Sequence, residues 1–255
     1  MSASRPGDTS RATPGVLYLV PNLLGAVEPA SVLPARTIEV ARSLERWIVE
    51  TPKAARAFLK TIGHRRPIAE LAITALPPYA SDADLDALLA PAAAGESLGL
   101  VSDAGCPAVA DPGAALVAAA HRRGVRVVPL VGPSAVLLAL MASGMSGQAF
   151  TFHGYLPVAE AERAIRLRAI EADSAKSGRT QVFIETPYRN AAMIVALASA
   201  LEPETRVAVA ADLTLPTESV TVRQAKRWRD GDPAAWNRRP AIFVLDASRL
   251  GKRRR

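Results

Sequence analysis

Short β-branched runs alternate with Ala- and Leu-rich segments of helical length through the first half of the chain, a pattern that predicts strand–helix units and a parallel sheet. Strands are predicted at Val16–Val20, Trp47–Val49, Glu70–Thr74, Leu98–Val101 and Val125–Leu130. The segments between them predict helices at Pro34–Leu44, Pro52–Ile62, Asp82–Ala93 and Pro112–Arg123. Pro34, Pro52 and Pro112 stand where a first helical turn tolerates a missing N–H, and Gly63 and Gly124 stand where a helix ends in a left-handed residue. After Pro133 the rhythm changes. Helices are predicted at Ser134–Ser143, Glu160–Ala172 and Tyr188–Leu201, among strands at Phe150–His153, Gln181–Ile184, Arg206–Ala210, Ser219–Val222 and Ala241–Leu245. The expected fold is two-domain α/β: an N-terminal, mainly parallel sheet over residues 15–132 and a C-terminal mixed sheet with flanking helices over residues 133–248. A disordered tail is expected over residues 1–14 and a basic tail over residues 249–255.

With 255 residues, 49% of them hydrophobic and 22% charged, the chain can bury large cores and lies far from the composition of disordered proteins. No apolar run reaches the roughly 20 residues that span a bilayer, because Val125–Leu140 is interrupted by Pro129, Gly132 and Pro133. No membrane association is therefore expected. The polar start Met1–Thr13 has no apolar signal core, and a lone Cys106 has no internal disulfide partner, which favours the cytoplasm. The formal charge of +7 draws on Gly251–Arg255, Arg223–Arg229 and Arg238–Arg239. That surplus suits a polyanionic partner and equally a solvated basic surface.

Several chemistries are absent from the sequence. There is no Walker-type phosphate loop, no G-x-G-x-x-G after the first strand, no HExxH and no paired CxxC. His64, His121 and His153 are far apart, and no metal site is expected. Four loops at predicted strand ends stand out instead: Pro21–Gly25, Ser102–Pro107, Val131–Ala135 and Ile184–Arg189. Small residues such as Ala104 and Gly105 let main chain approach a ligand beyond the carboxyl ends of strands. Asp103 can accept from a ligand donor or hold its own loop in an Asx turn, and Ser134 can bond a ligand or cap its helix. Asp111, followed by Pro112 before an Ala-rich stretch, reads as a helix N-cap, and Cys106 reads as a small packed residue. Glu50, Asp103, His153 and Glu185 are the candidate general bases.

The fragments Leu17-Tyr-Leu-Val-Pro21, Val101-Ser-Asp-Ala-Gly-Cys-Pro107, Ala110-Asp-Pro-Gly113, Val127-Val-Pro-Leu-Val-Gly-Pro-Ser-Ala135, Ala142-Ser-Gly-Met145, Phe152-His-Gly-Tyr-Leu-Pro157 and Phe183-Ile-Glu-Thr-Pro-Tyr-Arg189 occur in a fixed order. In wording and order they resemble the tetrapyrrole methylase superfamily, and within it the branch that methylates ribose 2′-hydroxyls of small-subunit ribosomal RNA. The resemblance spans residues 15 to about 246. It implies a two-domain methyltransferase, usually a homodimer, that holds folded S-adenosylmethionine in the cleft between its domains. Carried over by position, cofactor contacts fall on Pro21, Ser102, Asp103, Ala104, Gly105, Ser134, Ala135, Tyr155 and Leu156, with Leu213, Pro240 and Ala241 as further contacts. Ribosomal RNA is the implied acceptor. A small molecule, tetrapyrrole-like or other, is the second reading, and a cofactor-binding protein without transferase activity the third.

The sequence departs from that branch after its second strand. The Ala-Glu-Asp-Thr-Arg-His-Thr segment of the branch stands here as Val49-Glu-Thr-Pro-Lys-Ala-Ala55, in which only Glu50 is retained. Polar groups that would bond an acceptor are thereby lost. The chain also ends soon after its last predicted strand, where members of the branch continue into a further helical domain.

Overall fold

The computed structural model describes residues 15–248; the two predicted tails lie outside the described residues. Contacts divide the chain into two compact units. The first holds residues up to Leu23 and Glu28–Pro133, and the second holds Leu24–Val27 and the chain from Ser134.

Unit 1 is built from β1 (Val16–Leu19), α1 (Ala35–Ser43), β2 (Arg46–Val49), α2 (Pro52–Thr61), β3 (Ala72–Ala75), α3 (Asp82–Ala93), β4 (Leu98–Val101), α4 (Ala114–Arg122) and β5 (Arg126–Pro129). The strands form one sheet in the order β3-β2-β4-β1-β5, every pair parallel. Its core gathers Leu17, Ile48, Leu98 and Leu100 from the strands with Leu85, Leu89, Leu116 and Ala119 from α3 and α4. Helix starts follow from local chemistry. Ser81 and Asp84 cap α3 reciprocally, and Pro52 opens α2 where its missing N–H costs nothing. Gly63 and Gly124 close α2 and α4 with left-handed φ of 66° and 69°.

Two expectations about prolines need correction. Pro34 is the N-cap of α1 rather than part of its first turn. Pro112 precedes α4, whose N-cap is Gly113 at φ 135°. The chain reaches that point through left-handed turns at Gly105, Ala108 and Ala110, which delay the helix beyond Asp111-Pro112. The predicted strand at Glu70–Thr74 begins two residues later, because Ile68–Glu70 forms a 3₁₀ turn instead.

Unit 2 comprises α5 (Ala135–Ala142), β6 (Phe150–Tyr155), α6 (Glu160–Ser177), β7 (Thr180–Glu185), α7 (Asn190–Ala200), β8 (Arg206–Ala211), β9 (Ser219–Gln224) and β10 (Ala241–Asp246). Its sheet runs β6-β7-β10-β8-β9; only β6 and β7 are parallel, and the other pairs are antiparallel. Alternation along the strands loads both faces. Phe183, Val207, Val209 and Phe243 pack with α6 and α7, the two Phe rings stacking at 5.4 Å, while Val182, Ala208, Ala210, Ile242 and Val244 pack with α5. Burial on both faces explains why these strands read as nearly continuous apolar runs. A register shift between Phe152 and Tyr155 interrupts the β6–β7 ladder, and Gly154 there has φ 64°. The predicted helix Tyr188–Leu201 resolves into a 3₁₀ turn at Pro187–Arg189 followed by α7. The one at Glu160–Ala172 extends to Ser177 and ends on left-handed Gly178.

Candidate active site

In unit 1 the chain leaves β1 toward one edge of the sheet, by way of β2, and leaves β4 toward the other, by way of β5. Neighbouring β1 and β4 therefore flank a topological switch point, the place where open α/β sheets bind ligands beyond the carboxyl ends of their strands. The loops found there are those the sequence singles out, Pro21-Asn22 and Ser102–Pro107.

Asn22 ties the two loops together. Its N–H donates to the Gly105 carbonyl at 2.8 Å, and its side-chain Nδ2 donates to the carbonyls of Ser102 and Asp103 at 2.9 and 3.0 Å. Three carbonyls of the small-residue loop thus point inward to a buried Asn instead of toward a ligand. The Ala104 and Gly105 N–H groups, by contrast, donate to no other described residue. Sequence reasoning misses Asn22, although a lone Asn directly after Val20-Pro21 is the available signal.

Three carboxylates gather over the ends of β2 and β4. The Glu50 N–H continues the β2–β4 pairing by donating to the Val101 carbonyl, and Glu50 Oε2 accepts from the Asp103 N–H at 3.0 Å. Asp103 Oδ1 accepts from the Thr51 N–H at 3.1 Å and from the Thr51 hydroxyl at 2.8 Å. Asp103 therefore holds the neighbouring loop rather than turning on its own. The third carboxylate is Asp111, which in the sequence reads as a helix N-cap. The left-handed turns at Ala108 and Ala110 leave it half-buried in front of α4. Burial, then the like charges of Glu50 and Asp103, push its carboxyl from an ordinary 3.8 up to about 6, although the nearby Ser102 hydroxyl works in the opposite direction. That hydroxyl is itself buried without a partner of full hydrogen-bond geometry. Asp111 is the titratable group that sequence reasoning misses, because Asp-Pro before an Ala-rich run is an ordinary capping signature.

The other base candidates are tied to neighbours in unit 2. Both ring nitrogens of His153 have partners: Nε2 lies 2.6 Å from Gln181 Oε1 and Nδ1 lies 3.0 Å from Arg166. Glu185 is buried; its Oε1 accepts from Arg189 Nε at 2.9 Å and from the Thr186 N–H at 2.6 Å, while its Oε2 is buried without a hydrogen-bond partner. Both groups belong to unit 2 and act there as ties at a strand irregularity and a strand end. Cys106 is half-buried with Sγ 3.5 Å from the Pro133 carbonyl, and burial followed by Asp111 raises its thiol, as suits a packed residue.

Of the remaining unit 2 positions, Ser134 caps α5, its hydroxyl accepting from the Leu137 N–H at 3.5 Å, and Ala135 opens that helix. Leu156 and Leu213 are buried in two different clusters, and Tyr155 is half exposed. The Asp212 N–H donates to the Pro240 carbonyl at 2.9 Å, which brings the Leu213 segment beside Pro240-Ala241. Asp212 and Thr214 flank Leu213 with φ of 52° and 73°. No three His, Cys, Asp or Glu side chains among the described residues are grouped so as to hold a metal ion.

The geometry suits a small ligand with an anionic end and a cationic centre. Unpartnered N–H groups at Ala104 and Gly105 suit a carboxylate, and the acidic trio suits a positive charge.

The family described as Tetrapyrrole (Corrin/Porphyrin) Methylases matches residues 17–227. The Ribosomal RNA small subunit methyltransferase I of Mesorhizobium japonicum is 35% identical over 228 residues, covering 89% of this chain and 74% of that protein. Its namesake from Xylella fastidiosa strain Temecula1 is 34% identical over 209 residues, covering 82% and 72%. Among solved structures, the methyltransferase CobJ superposes with a TM-score of 0.60 at 18% identity, covering 91% of this chain and 94% of that one. No helix of the described residues is long and apolar enough to cross a membrane.

Proposed function

The chain belongs to the tetrapyrrole methylase family and is a methyltransferase that uses S-adenosylmethionine, and from that premise we propose that its acceptor is a ribose 2′-hydroxyl of small-subunit ribosomal RNA. The observation that carries the reading is the Glu50–Asp103–Asp111 trio at the switch point of unit 1, with one member held half-protonated near pH 6. When bound, S-adenosylmethionine supplies an electrophilic methyl group whose bonding pair stays with the departing sulfur.

The residues of this chain have separable tasks. The Ala104 and Gly105 N–H groups bind the amino-acid end of the cofactor, and Pro21, Ser102 and Asp103 shape the surrounding loop. In unit 2, Ser134, Ala135, Tyr155, Leu156, Leu213, Pro240 and Ala241 are assigned cofactor contacts of their own, through main chain where the side chain is buried. Glu50 and Asp103 are spent on hydrogen bonds that fix the loops after β2 and β4. Asp111 takes the proton from the acceptor hydroxyl as its oxygen bonds to the methyl carbon, since a base near neutral pKa combines the right protonation state with enough proton affinity. Holding the hydroxyl in line supplies the larger part of the acceleration.

The enzyme is assigned to the cytoplasm as a homodimer. Leu137 and Met141 support the dimer: they are four residues apart on α5, 50% and 77% exposed, on a helix that is apolar on every side. Light scattering at micromolar concentration tests it, and a monomer would refute it.

Isothermal titration with S-adenosylmethionine, followed by transfer of labelled methyl groups to small ribosomal subunits from a strain deleted for this enzyme, tests the main reading. We expect binding and label in the 16S RNA. Label confined to a metabolite extract would move the acceptor to a small molecule.

A further inference from the structure

Four arginines of unit 1 are neutralised by carboxylates. Arg46 pairs with Glu96, Arg66 with Glu45 and Glu70, Arg122 with Asp82 and Arg123 with Asp86. Helix α2 instead carries several cations without such a partner on one short element. Between Glu50 and Glu70 the sequence contains no Asp or Glu but five Lys and Arg. Three of these, Lys53, Arg56 and Lys60, lie on α2; all are exposed, and none of their side chains has an ion pair or hydrogen bond to another described residue.

Their spacing puts them in a row. At 3.6 residues per turn they fall within about 60° of one another, on the side of the helix away from the buried Ala55, Phe58 and Leu59. The row is roughly 10 Å long at about 1.5 Å per residue. Its near end is anchored at the site: Thr51, the N-cap of α2, is the residue whose N–H and hydroxyl are held by Asp103.

We propose that the α2 face formed by Lys53, Arg56 and Lys60 binds the phosphate backbone of single-stranded RNA and leads it to the carboxylates at the end of β4. The inference rests on the RNA reading of the acceptor and adds the surface that reads it. An unpaired row of cations beside an acidic trio has a clear division of labour. The row neutralises phosphates, while the trio faces a ribose and repels any phosphate that enters the reaction centre.

The test is the salt dependence of binding of a fluorescein-labelled 20-nucleotide single-stranded RNA to the full chain, from 50 to 200 mM KCl, by anisotropy. Each neutralised phosphate contributes about 0.7 to the slope of log K against log salt for single strands. Lys53→Gln/Arg56→Gln/Lys60→Gln should therefore flatten the slope by about 2, so that wild type loses roughly 18-fold more affinity than the variant across that range. Lys53→Arg/Arg56→Lys/Lys60→Arg should keep the wild-type slope. Arg126→Gln, at the amino end of β5, should leave it unchanged. S-adenosylmethionine titration of every variant should match wild type, which separates this surface from cofactor binding. Equal slopes for wild type and the triple Gln variant overturn the proposal even where methyl transfer to ribosomal subunits is intact, as does a wild type that binds no RNA at 50 mM. Competition by polyglutamate as strong as by unlabelled RNA overturns the RNA assignment in favour of an acidic protein partner. Should the triple variant fail to fold, Lys60→Gln alone is read for a slope change of about 0.7, and no change there counts against the row.

Discussion

Replacing Asp111 by Asn should make the protein more stable and almost inactive. The carboxyl is raised from 3.8 to about 6 by burial and by Glu50 and Asp103, and each pH unit is worth about 1.4 kcal/mol. The folded state therefore carries a penalty of at most about 3 kcal/mol once Asp111 is ionised. Part of the carboxyl still meets water, and screening there reduces the penalty to about 1–2 kcal/mol. The sign follows from linkage. A carboxyl whose folded pKa lies above its unfolded one binds more protons in the native state, so stability declines as pH rises from about 4 through 6 and levels off above. An amide at this position carries no such penalty. Above pH 7 the variant should gain about 1–2 kcal/mol, which for a cooperative unit of this size is about 2 to 8 °C in Tm. Near pH 4 the gap should close. Turnover should fall by about 10²- to 10⁴-fold, the range for losing a general base, and the wild-type rate should rise with pH up to about 6 and then flatten. Differential scanning calorimetry from pH 4 to 8, with single-turnover methylation of ribosomal subunits, reads both effects. A Tm difference independent of pH, or turnover within threefold of wild type, would refute the argument.

Three further substitutions test contacts elsewhere in the two units. Asn22→Ala should leave the Ser102 and Asp103 carbonyls unpartnered, lower stability by about 1–3 kcal/mol and weaken S-adenosylmethionine binding at least tenfold; calorimetric titration showing wild-type affinity would separate the loop from the cofactor. Glu185→Gln removes the charge that Arg189 pairs with and should reduce stability by about 1.5–3 kcal/mol, while turnover per folded molecule stays unchanged; a selective loss of turnover would return Glu185 to the candidate bases. At Gly99 a Cβ would come within 2.6 Å of the Trp47 ring, so Gly99→Ala should cost about 1–3 kcal/mol by urea unfolding, and an unchanged midpoint would mean that the ring can move.

The sheet positions are legible in the sequence because the inner strands β7, β8 and β10 of unit 2 are buried on both faces and strands β1 to β4 of unit 1 are each followed by a helix of the same unit. Pro52, Gly63 and Gly124 mark boundaries that the structure keeps. The loops at the ends of β1 and β4 are legible for the same reason, as concentrations of Gly, Pro and Asp where apolar runs stop. The role of Asp111 is not, because its direction is set by left-handed φ at Ala108 and Ala110, and Ala gives no propensity signal for that conformation. His153 and Glu185 look like bases since sequence shows a group but not its neighbours. Gln181 and Arg166 surround the first, and Arg189 holds the second. The α2 row is visible in the sequence as Lys53-x-x-Arg56-x-x-x-Lys60, but its lack of counter-ions can be seen only in the structure, where no carboxylate of a described residue pairs with it.

A pattern joins these observations. Glu50 and Asp103 each accept hydrogen bonds from main chain across the gap between the β2 and β4 loops, which hold both carboxylates in place. Asp111 lacks such donors and meets two fixed negative charges instead, so the same two residues that order the loops also lift the affinity of their neighbour for a proton. Removing either tie should then loosen the loop and lower the Asp111 pKa together. Asp103→Asn is the cleaner of the two, since its amide oxygen can still accept from Thr51 while the charge is gone. It should shift the pH at which turnover levels off downward with little change in Tm at pH 5. A plateau that stays near pH 6 would show that burial alone sets the proton affinity of Asp111 and that the trio does not act as a unit.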